Sequence, residues 1–166
     1  SSYADKLAFL GGTALRIIYG STRFSEDLDF DNFGLSGKEF TDLGHIIQKD
    51  LALEGFETEV NTVTGNAYRI KIRIPKLLFD LGISAMSTHK ILIQVDTVPH
   101  NFQYIPEKPL LNKFDVFTQI NAVPKDLLLS QKICASVNRK RIMGRDFFDI
   151  VFLHGIGAKL DFVYLK

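Results

Sequence analysis

The most constraining feature of this sequence is the segment FLGGTALRIIYGSTRFSEDLDF, residues 9–30, in which a Gly-Gly-Thr turn and a short apolar stretch lead to two aspartates. Asp27 and Asp29 are separated by one leucine, and the residues around them predict a strand over 27–33. Side chains alternate along a strand, so both carboxylates would point from the same face. Because like charges repel each other, a fold keeps such a pair most readily with a cation between them.

The remainder of the first 121 residues carries signals for both helices and strands. Helices are predicted over 13–19 and 36–53, the second with Ser36 and Glu39 at capping-box spacing. Strands are predicted over 56–63, 68–74, 90–98 and 114–120. The opening residues SSYADKLAF are expected to form the tail of a helix.

After residue 121 the pattern becomes helical. Helices are predicted over 124–139 and 145–154, joined by a basic turn. We therefore expect an α+β core over residues 1–121 and the start of a helical C-terminal domain over 122–166. The last residues carry no helix cap or polar tail, so we expect the chain to be part of a longer protein.

Composition excludes several classes of protein. The formal net charge is +1, so no strong overall field draws the chain to nucleic acid, and any such affinity depends on local patches. A single cysteine excludes an intrachain disulfide and a multi-cysteine zinc site. No apolar run is long enough to span a bilayer and no signal-peptide pattern opens the sequence, so we expect a cytoplasmic protein without membrane association.

The carboxylates suit phosphoryl transfer if a third one joins them. A two-metal site needs about three carboxylates at one point, and Asp96, near the end of the predicted strand 90–98, is the candidate. Glycines before a helix let the backbone approach a triphosphate, and the helix N-terminus favours anions. Each part alone has a simpler interpretation: a turn residue, an exposed strand residue, an N-cap. Their order along the chain is more specific than any one of them.

The segment resembles the signature of the AbiEii/AbiGii toxin-like nucleotidyltransferases, a branch of the DNA polymerase β-type superfamily. The matching positions are Gly11, Gly12, Thr13, Ala14, Leu15, Tyr19, Gly20, Arg23, Ser25, Asp27 and Asp29. A second block, QKICASVNRKRIMGRDFFDIVFL, is similar to the family's helical motif at Lys132, Ala135, Arg141, Arg145, Asp146 and Asp149. The strand ILIQVDTVP resembles the family strand that carries the third acid, Asp96.

The resemblance implies a polymerase β-like core, a mixed sheet flanked by helices, with a helical part after it. It implies a Mg²⁺-dependent transfer of a nucleoside monophosphate from an NTP to an acceptor hydroxyl. Two Mg²⁺ ions would be held by Asp27, Asp29 and Asp96. The catalytic residues would be these three acids together with Lys132 and Asp146. The nucleotide-binding residues would be Gly11, Gly12, Thr13, Arg23, Ser25, Lys132, Arg145 and Asp149.

Several of these roles stay open at the level of sequence. Lys132 reaches the triphosphate or is a solvated lysine, and the resemblance favours the first. Asp146 either is catalytic, orienting a cation or acting on the acceptor, or is a structural residue at the start of a helix. Asp149 lies on the same helical face and has the same two alternatives. Arg23 contacts phosphate or pairs with a carboxylate, and the pairing is slightly favoured.

The resemblance also implies partners. They are an NTP, an acceptor, and a cognate antitoxin of a bacterial toxin–antitoxin or abortive-infection system. The tRNA 3′ end or another RNA is a reasonable acceptor, and protein or small-molecule hydroxyls stay open. Two basic clusters either track RNA or are solvated surface: Arg69, Lys71, Arg73 and Lys76 in one, Arg139, Lys140 and Arg141 in the other. The alternative function is a non-catalytic nucleotide- or RNA-binding module that retains the fold.

Overall fold

The computed structural model describes residues 3–99, 101–113, 115–141 and 143–166. Within them, after a 3₁₀ turn at Ala4–Lys6, the helices are α1 Gly11–Tyr19, α2 Gly37–Leu53, α3 Leu77–Asp80, α4 Lys125–Asn138 and α5 Gly144–Gly155. The strands are β1 Leu7–Leu10, β2 Leu28–Asn32, β3 Glu59–Val63, β4 Tyr68–Pro75, β5 Lys90–Pro99, β6 Leu110–Lys113 and β7 Val116–Gln119. None of the described helices is both long and apolar enough to cross a membrane.

The strands β1 to β5 form one mixed sheet in the order β1-β2-β5-β4-β3. The central pair, β2 and β5, is parallel, and the other neighbours are antiparallel. A parallel pair needs a crossover connection, and here α2 with the β3–β4 hairpin supplies it. The expected mixed sheet flanked by helices is confirmed, with β6 and β7 as a separate hairpin.

Helix α2 covers one face of this sheet. Ser36 and Glu39 form the predicted capping box, which fixes where the helix begins. Its apolar stripe packs on the inward residues of β4 and β5, and the fully buried Phe40 ring lies 5.5 Å from the Tyr68 ring. The strict alternation of β4 therefore places isoleucines under α2 and basic side chains on the opposite, open face.

A second apolar cluster joins the two parts of the chain. It contains buried residues of β1 and α1 together with residues of α4 and α5, among them Ala8, Leu15, Leu128 and Leu153. These side chains come from both sides of the boundary predicted at residue 121. The packing places α4 against the β1–β2 end of the sheet, while the division into two domains stays a prediction.

Three local predictions were wrong. The opening residues do not form a helix tail: after the 3₁₀ turn they form β1, because Leu7–Leu10 pairs antiparallel with β2. Four consecutive apolar residues carry no period, so their conformation depends on a partner strand, β2, further along the chain. Strand β6 and helix α3 were not expected, and β2 begins at Leu28, one residue after Asp27. Phe114, the first residue of the strand predicted over 114–120, lies outside the described residues.

Candidate active site

The pairing of β2 with β5 sets Asp29 directly beside Asp96. The two residues are register partners in the parallel ladder, and Arg69 of β4 is the partner of Asp96 on its other side. Residues that are directly opposite in neighbouring strands project from the same face of a sheet. Asp29, Asp96 and Arg69 therefore form one row on the open face, the face that α2 does not cover.

The Asp29 carboxyl has an unusual electrostatic setting. Burial raises the pKa of Asp29 above its ordinary value, and the neighbouring charges of Asp96 and Asp27 raise it further. Lys132 and Arg145 act in the opposite direction. The site therefore concentrates three negative charges, and a cation would relieve their repulsion.

The Asp96 carboxylate already has cationic and polar partners. Arg69 donates from Nε to Oδ1 at 2.6 Å and from Nη2 to Oδ2 at 2.9 Å, and Gln94 donates from Nε2 to Oδ2 at 2.9 Å. Within the ranges given above, no three His, Cys, Asp or Glu side chains lie close enough together to hold a metal ion. The predicted convergence is thus a pair, Asp29 with Asp96, and Asp27 is an exposed residue before the strand.

The donors of this pair suit a hard divalent cation. Mg²⁺ takes oxygen ligands, and it usually binds through one or two carboxylates together with substrate phosphates and water. Asp29 and Asp96 supply two carboxylates from adjacent strands, and Asp27 is near enough to affect the pKa of Asp29. Asp29 and Asp96 are therefore the residues that would hold Mg²⁺.

Helix α1 begins against the same row. Gly11 has φ +82°, and a Cβ at this position would collide with Oδ2 of Asp29. A Cβ at Gly12 would collide with the Arg23 guanidinium and with the Ser25 hydroxyl. Only glycine lets the start of the helix, whose first N–H groups have no partner within the helix, approach this closely.

The Thr13 side chain has partners within the protein, and its expected role as a phosphate ligand stays a prediction. Its buried hydroxyl donates to the backbone carbonyl of Asp27 at 2.6 Å and lies 3.1 Å from Ser25 Oγ. The side chains of Thr13 and Ser25 thus tie α1 to the segment that enters β2. We expect any phosphate contact of Thr13 to come from its backbone N–H.

Asp149 of α5 is a buried clamp between distant parts of the chain. It accepts two hydrogen bonds from Arg23, at 2.7 and 3.0 Å, and one from Lys132 Nζ at 2.7 Å. Burial alone would raise the pKa of Asp149, but the hydrogen bonds from Arg23 and Lys132 hold it below its ordinary value. Arg23 therefore pairs with a carboxylate, and Lys132 is held between α4 and α5.

Asp146 is equally buried and has a cation of its own. Arg139 donates from Nη1 to both oxygens of Asp146, at 3.0 and 2.8 Å. Arg139 lies in the exposed turn predicted to bind RNA or to be solvated, and it also forms this pair, while Lys140 and Arg141 are exposed beside it. RNA binding by this turn stays a prediction. Asp146 therefore borders the site as a paired carboxylate.

A cleft of about 380 Å³ lies between the sheet row and α4. Five of the predicted residues line it: Gly11, Asp29, Asp96, Lys132 and Asp146. The others do not line this cleft: Gly12, Thr13, Arg23, Ser25, Asp27, Arg145 and Asp149. Arg145 is near enough to lower the pKa of Asp29.

Sequence reasoning missed a polar cluster in the wall of this cleft. The buried Asp31 carboxylate accepts from the Tyr104 hydroxyl at 2.7 Å and from Gln131 Nε2 at 3.2 Å. Burial and the hydrogen bond to Asp31 raise the pKa of Tyr104. The sequence held a signal for Asp31, because residues 29 and 31 alternate onto the same face of β2.

The geometry can now be compared with known proteins. The family model for the AbiEii nucleotidyl transferase toxin of type IV toxin–antitoxin systems matches residues 1–164. This chain belongs to the AbiEii family. The match includes the glycine turn, both strand aspartates and the helical block around Lys132. No curated protein sequence matches the chain.

Solved structures agree with the AbiEii fold. The nucleotidyltransferase toxin MenT4 of Mycobacterium tuberculosis matches with a TM-score of 0.65 and 19% identity, over 96% of this chain and 53% of that one. JHP933 of Helicobacter pylori matches with a TM-score of 0.61 and 19% identity, over 92% and 60%. An antigenic nucleotidyltransferase-like protein of Paracoccidioides brasiliensis matches with a TM-score of 0.57 and 16% identity, over 90% and 67%. The chain thus spans about half the length of the MenT4 structure.

The Asp149 clamp generates a stability prediction. We expect Asp149→Asn to lower the free energy of unfolding by about 3 kcal/mol, because it removes a buried carboxylate and leaves two partly buried cations without their counter-ion. Since folding lowers the pKa of Asp149, its contribution is present above the ordinary value of 3.8 and is lost as pH falls below it. Urea unfolding at pH 7 and pH 3 measures both effects, and the gap between wild type and variant should narrow at pH 3.

The matched control is Glu59→Gln, which breaks the exposed pair of Glu59 with Lys90. An exposed ion pair contributes little, so the urea midpoint of this variant should stay close to that of wild type. If Asp149→Asn were as stable as Glu59→Gln at pH 7, the clamp would not hold the two parts of the chain together.

Proposed function

We propose that this chain is the catalytic part of a Mg²⁺- and NTP-dependent nucleotidyltransferase. One observation carries the proposal: Asp29 and Asp96 are register partners on adjacent strands, directly beside the glycine start of α1. Oxygen ligands for a divalent cation and a helix N-terminus that favours phosphate thus meet in one cleft. Membership of the AbiEii family supports the same chemistry.

Different residues would bind different parts of the triphosphate. The backbone of Gly11, Gly12 and Thr13 would receive the β- and γ-phosphates, and Lys132 would add a point charge, held in place by Asp149. Asp29 and Asp96, with Asp27 near enough to add its charge, would hold Mg²⁺, which would supply charge neutralisation on the triphosphate and polarisation of the phosphorus. We propose two Mg²⁺ ions, the number that the family resemblance implies.

The transfer itself is an in-line displacement. The acceptor hydroxyl oxygen forms a bond to the α-phosphorus, and the bond from that phosphorus to the bridging oxygen of pyrophosphate breaks. Asp96 would accept the proton of the hydroxyl. Positioning and charge neutralisation account for the rate gain, and no covalent intermediate with the protein is needed.

A second cleft provides a place for the acceptor. It has about 450 Å³ and shares Asp29 and Asp96 with the first, but it extends toward β3 and β4, where Asn61 and Lys71 line it. Attacking and leaving oxygens lie on opposite sides of the phosphorus, so phosphates toward α4 place the acceptor toward β4. Basic side chains along β4 favour a polyanionic acceptor such as the tRNA 3′ end.

We further propose that the full-length protein acts as a toxin with an antitoxin encoded alongside it. The family description as a type IV toxin–antitoxin component supports this role. A cytoplasmic location follows from the same proposal, since NTP, Mg²⁺ and RNA are available there.

The first test measures label transfer. The protein is incubated with each α-labelled NTP, Mg²⁺ and total RNA, and wild type is compared with Asp29→Asn and Asp96→Asn. Each substitution should lower the transfer rate at least about a hundredfold, because it removes an oxygen ligand and a charge needed in the transition state. Asp80→Asn, an exposed aspartate of α3 beyond the far end of β4, should transfer label at the wild-type rate.

Equal transfer by wild type and Asp29→Asn would contradict the catalytic assignment. No transfer to any acceptor, together with NTP binding that needs no metal, would favour the alternative of a non-catalytic binding module.

The second test compares the glycines at the two ends of α1. Gly11 and Gly20 both have positive φ, +82° and +77°, but a Cβ at Gly20 meets no atom within 4 Å. We expect Gly11→Ala and Gly20→Ala each to cost about 1–2 kcal/mol of stability. Only Gly11→Ala should also lower label transfer, about tenfold or more, because its methyl group displaces the Asp29 carboxylate. Equal transfer rates in the two variants would contradict the close approach of α1 to Asp29.

A further inference from the structure

Arg69 makes the strongest contact to the carboxylate pair, and neither composition nor the family motif points to it. Its guanidinium forms a two-pronged ion pair with Asp96, and Gln94 donates to one of the same oxygens. Both oxygens of Asp96 therefore accept hydrogen bonds from the open face of the sheet. An ionised carboxylate has about four lone-pair sites, and these donors occupy three of them.

A divalent cation needs the same oxygens. Mg²⁺ binds carboxylate lone pairs directly, and a guanidinium beside it would add charge repulsion. One lone-pair site of Asp96 is left, but a cation bound there and shared with Asp29 would repel the guanidinium, so cation binding weakens the pairing of Asp96 with Arg69.

Arg69 can separate from Asp96 at little cost in free energy. Its side chain is 47% exposed, so separation from Asp96 moves the guanidinium into water and leaves no buried charge unpaired. The cleft over β3 and β4, which Arg69 lines with Asn61 and Lys71, gives it room to move. The backbone need not change, because the strand register fixes Asp96 beside Asp29 in either state.

We propose that Arg69 is a positioning residue that serves as the exchangeable counter-ion of Asp96. It holds the carboxylate toward the site before metal binds, and the divalent cation replaces it. The presence of Arg69 therefore weakens the affinity of the nucleotide-free protein for divalent cations. This inference rests on the proposed function, because the cation that it concerns is the one that the carboxylate pair would hold.

The test measures metal binding directly, without nucleotide and without turnover. Mn²⁺ is titrated into the chain at 0.15 M salt and followed by electron paramagnetic resonance, for wild type and Arg69→Gln. We expect the Kd for Mn²⁺ to fall about fivefold in Arg69→Gln, the size of effect that an ion pair of this kind would have. Arg69→Lys, which keeps the charge but not the two-pronged geometry, should give an intermediate Kd.

The matched control is Arg73→Gln. Arg73 lies four residues further along β4 on the same open face, paired in register with Leu92 of β5 and, on its other side, with Glu59 of β3. Arg73→Gln removes the same charge as Arg69→Gln, but at a distance from Asp96 over which salt screens the interaction. The Kd of this variant for Mn²⁺ should therefore differ from the wild-type Kd by less than about twofold. In an Asp96→Asn background, the effect of Arg69→Gln should disappear, because the two residues act through one contact.

The outcomes distinguish a failure of the Arg69 proposal from a failure of the proposed nucleotidyltransferase function. If wild type binds Mn²⁺ and Arg69→Gln binds it equally or more weakly, the inference is wrong and the proposed function stands. The inference is also wrong if Arg69→Gln and Arg73→Gln tighten binding equally, because general charge then explains the effect. If neither wild type nor Arg69→Gln binds Mn²⁺ without nucleotide, the inference is wrong, and the label-transfer test decides the proposed function separately.

Discussion

The parallel pairing of β2 with β5 is the constraint on which the rest of the site depends. It sets Asp29 beside Asp96, although 66 residues of sequence separate them, and a slip of one residue would turn either carboxylate to the face that α2 covers. The isoleucines of β4 and the stripe of α2 oppose such a slip, because it would expose their apolar surface. The hydrophobic core therefore fixes the geometry of the charged row on the opposite face.

The basic side chains around this row are held in place by defined ion pairs. Asp149 fixes Arg23 and Lys132, Arg139 pairs with Asp146, and Arg69 pairs with Asp96. Three of the acids around the site thus have cationic partners in the protein before any substrate enters. A bound triphosphate with its metal would change partners within an existing network, which keeps the reorganisation small.

The sequence predicts the elements with a strong local signal and misses those that depend on distant partners. The capping box of α2 and the alternation of β4 were enough to predict both elements, whereas β1 has four apolar residues whose conformation is set by β2. The spacing of Asp27 and Asp29 indicated an acidic site but not that β2 begins after Asp27. The contact of Arg69 with Asp96 follows from strand register, which no local pattern encodes, so a basic stripe was all that could be predicted.

The central claim is that Asp29 and Asp96 together hold a divalent cation at the start of α1. Crystals grown with Mn²⁺ and a non-hydrolysable NTP analogue test it through the anomalous scattering of the metal. The account predicts a peak within bonding distance of both carboxylates, with the phosphates of the analogue against Gly11 and Gly12. A peak bound elsewhere, or an analogue whose phosphates lie away from α1, would contradict it.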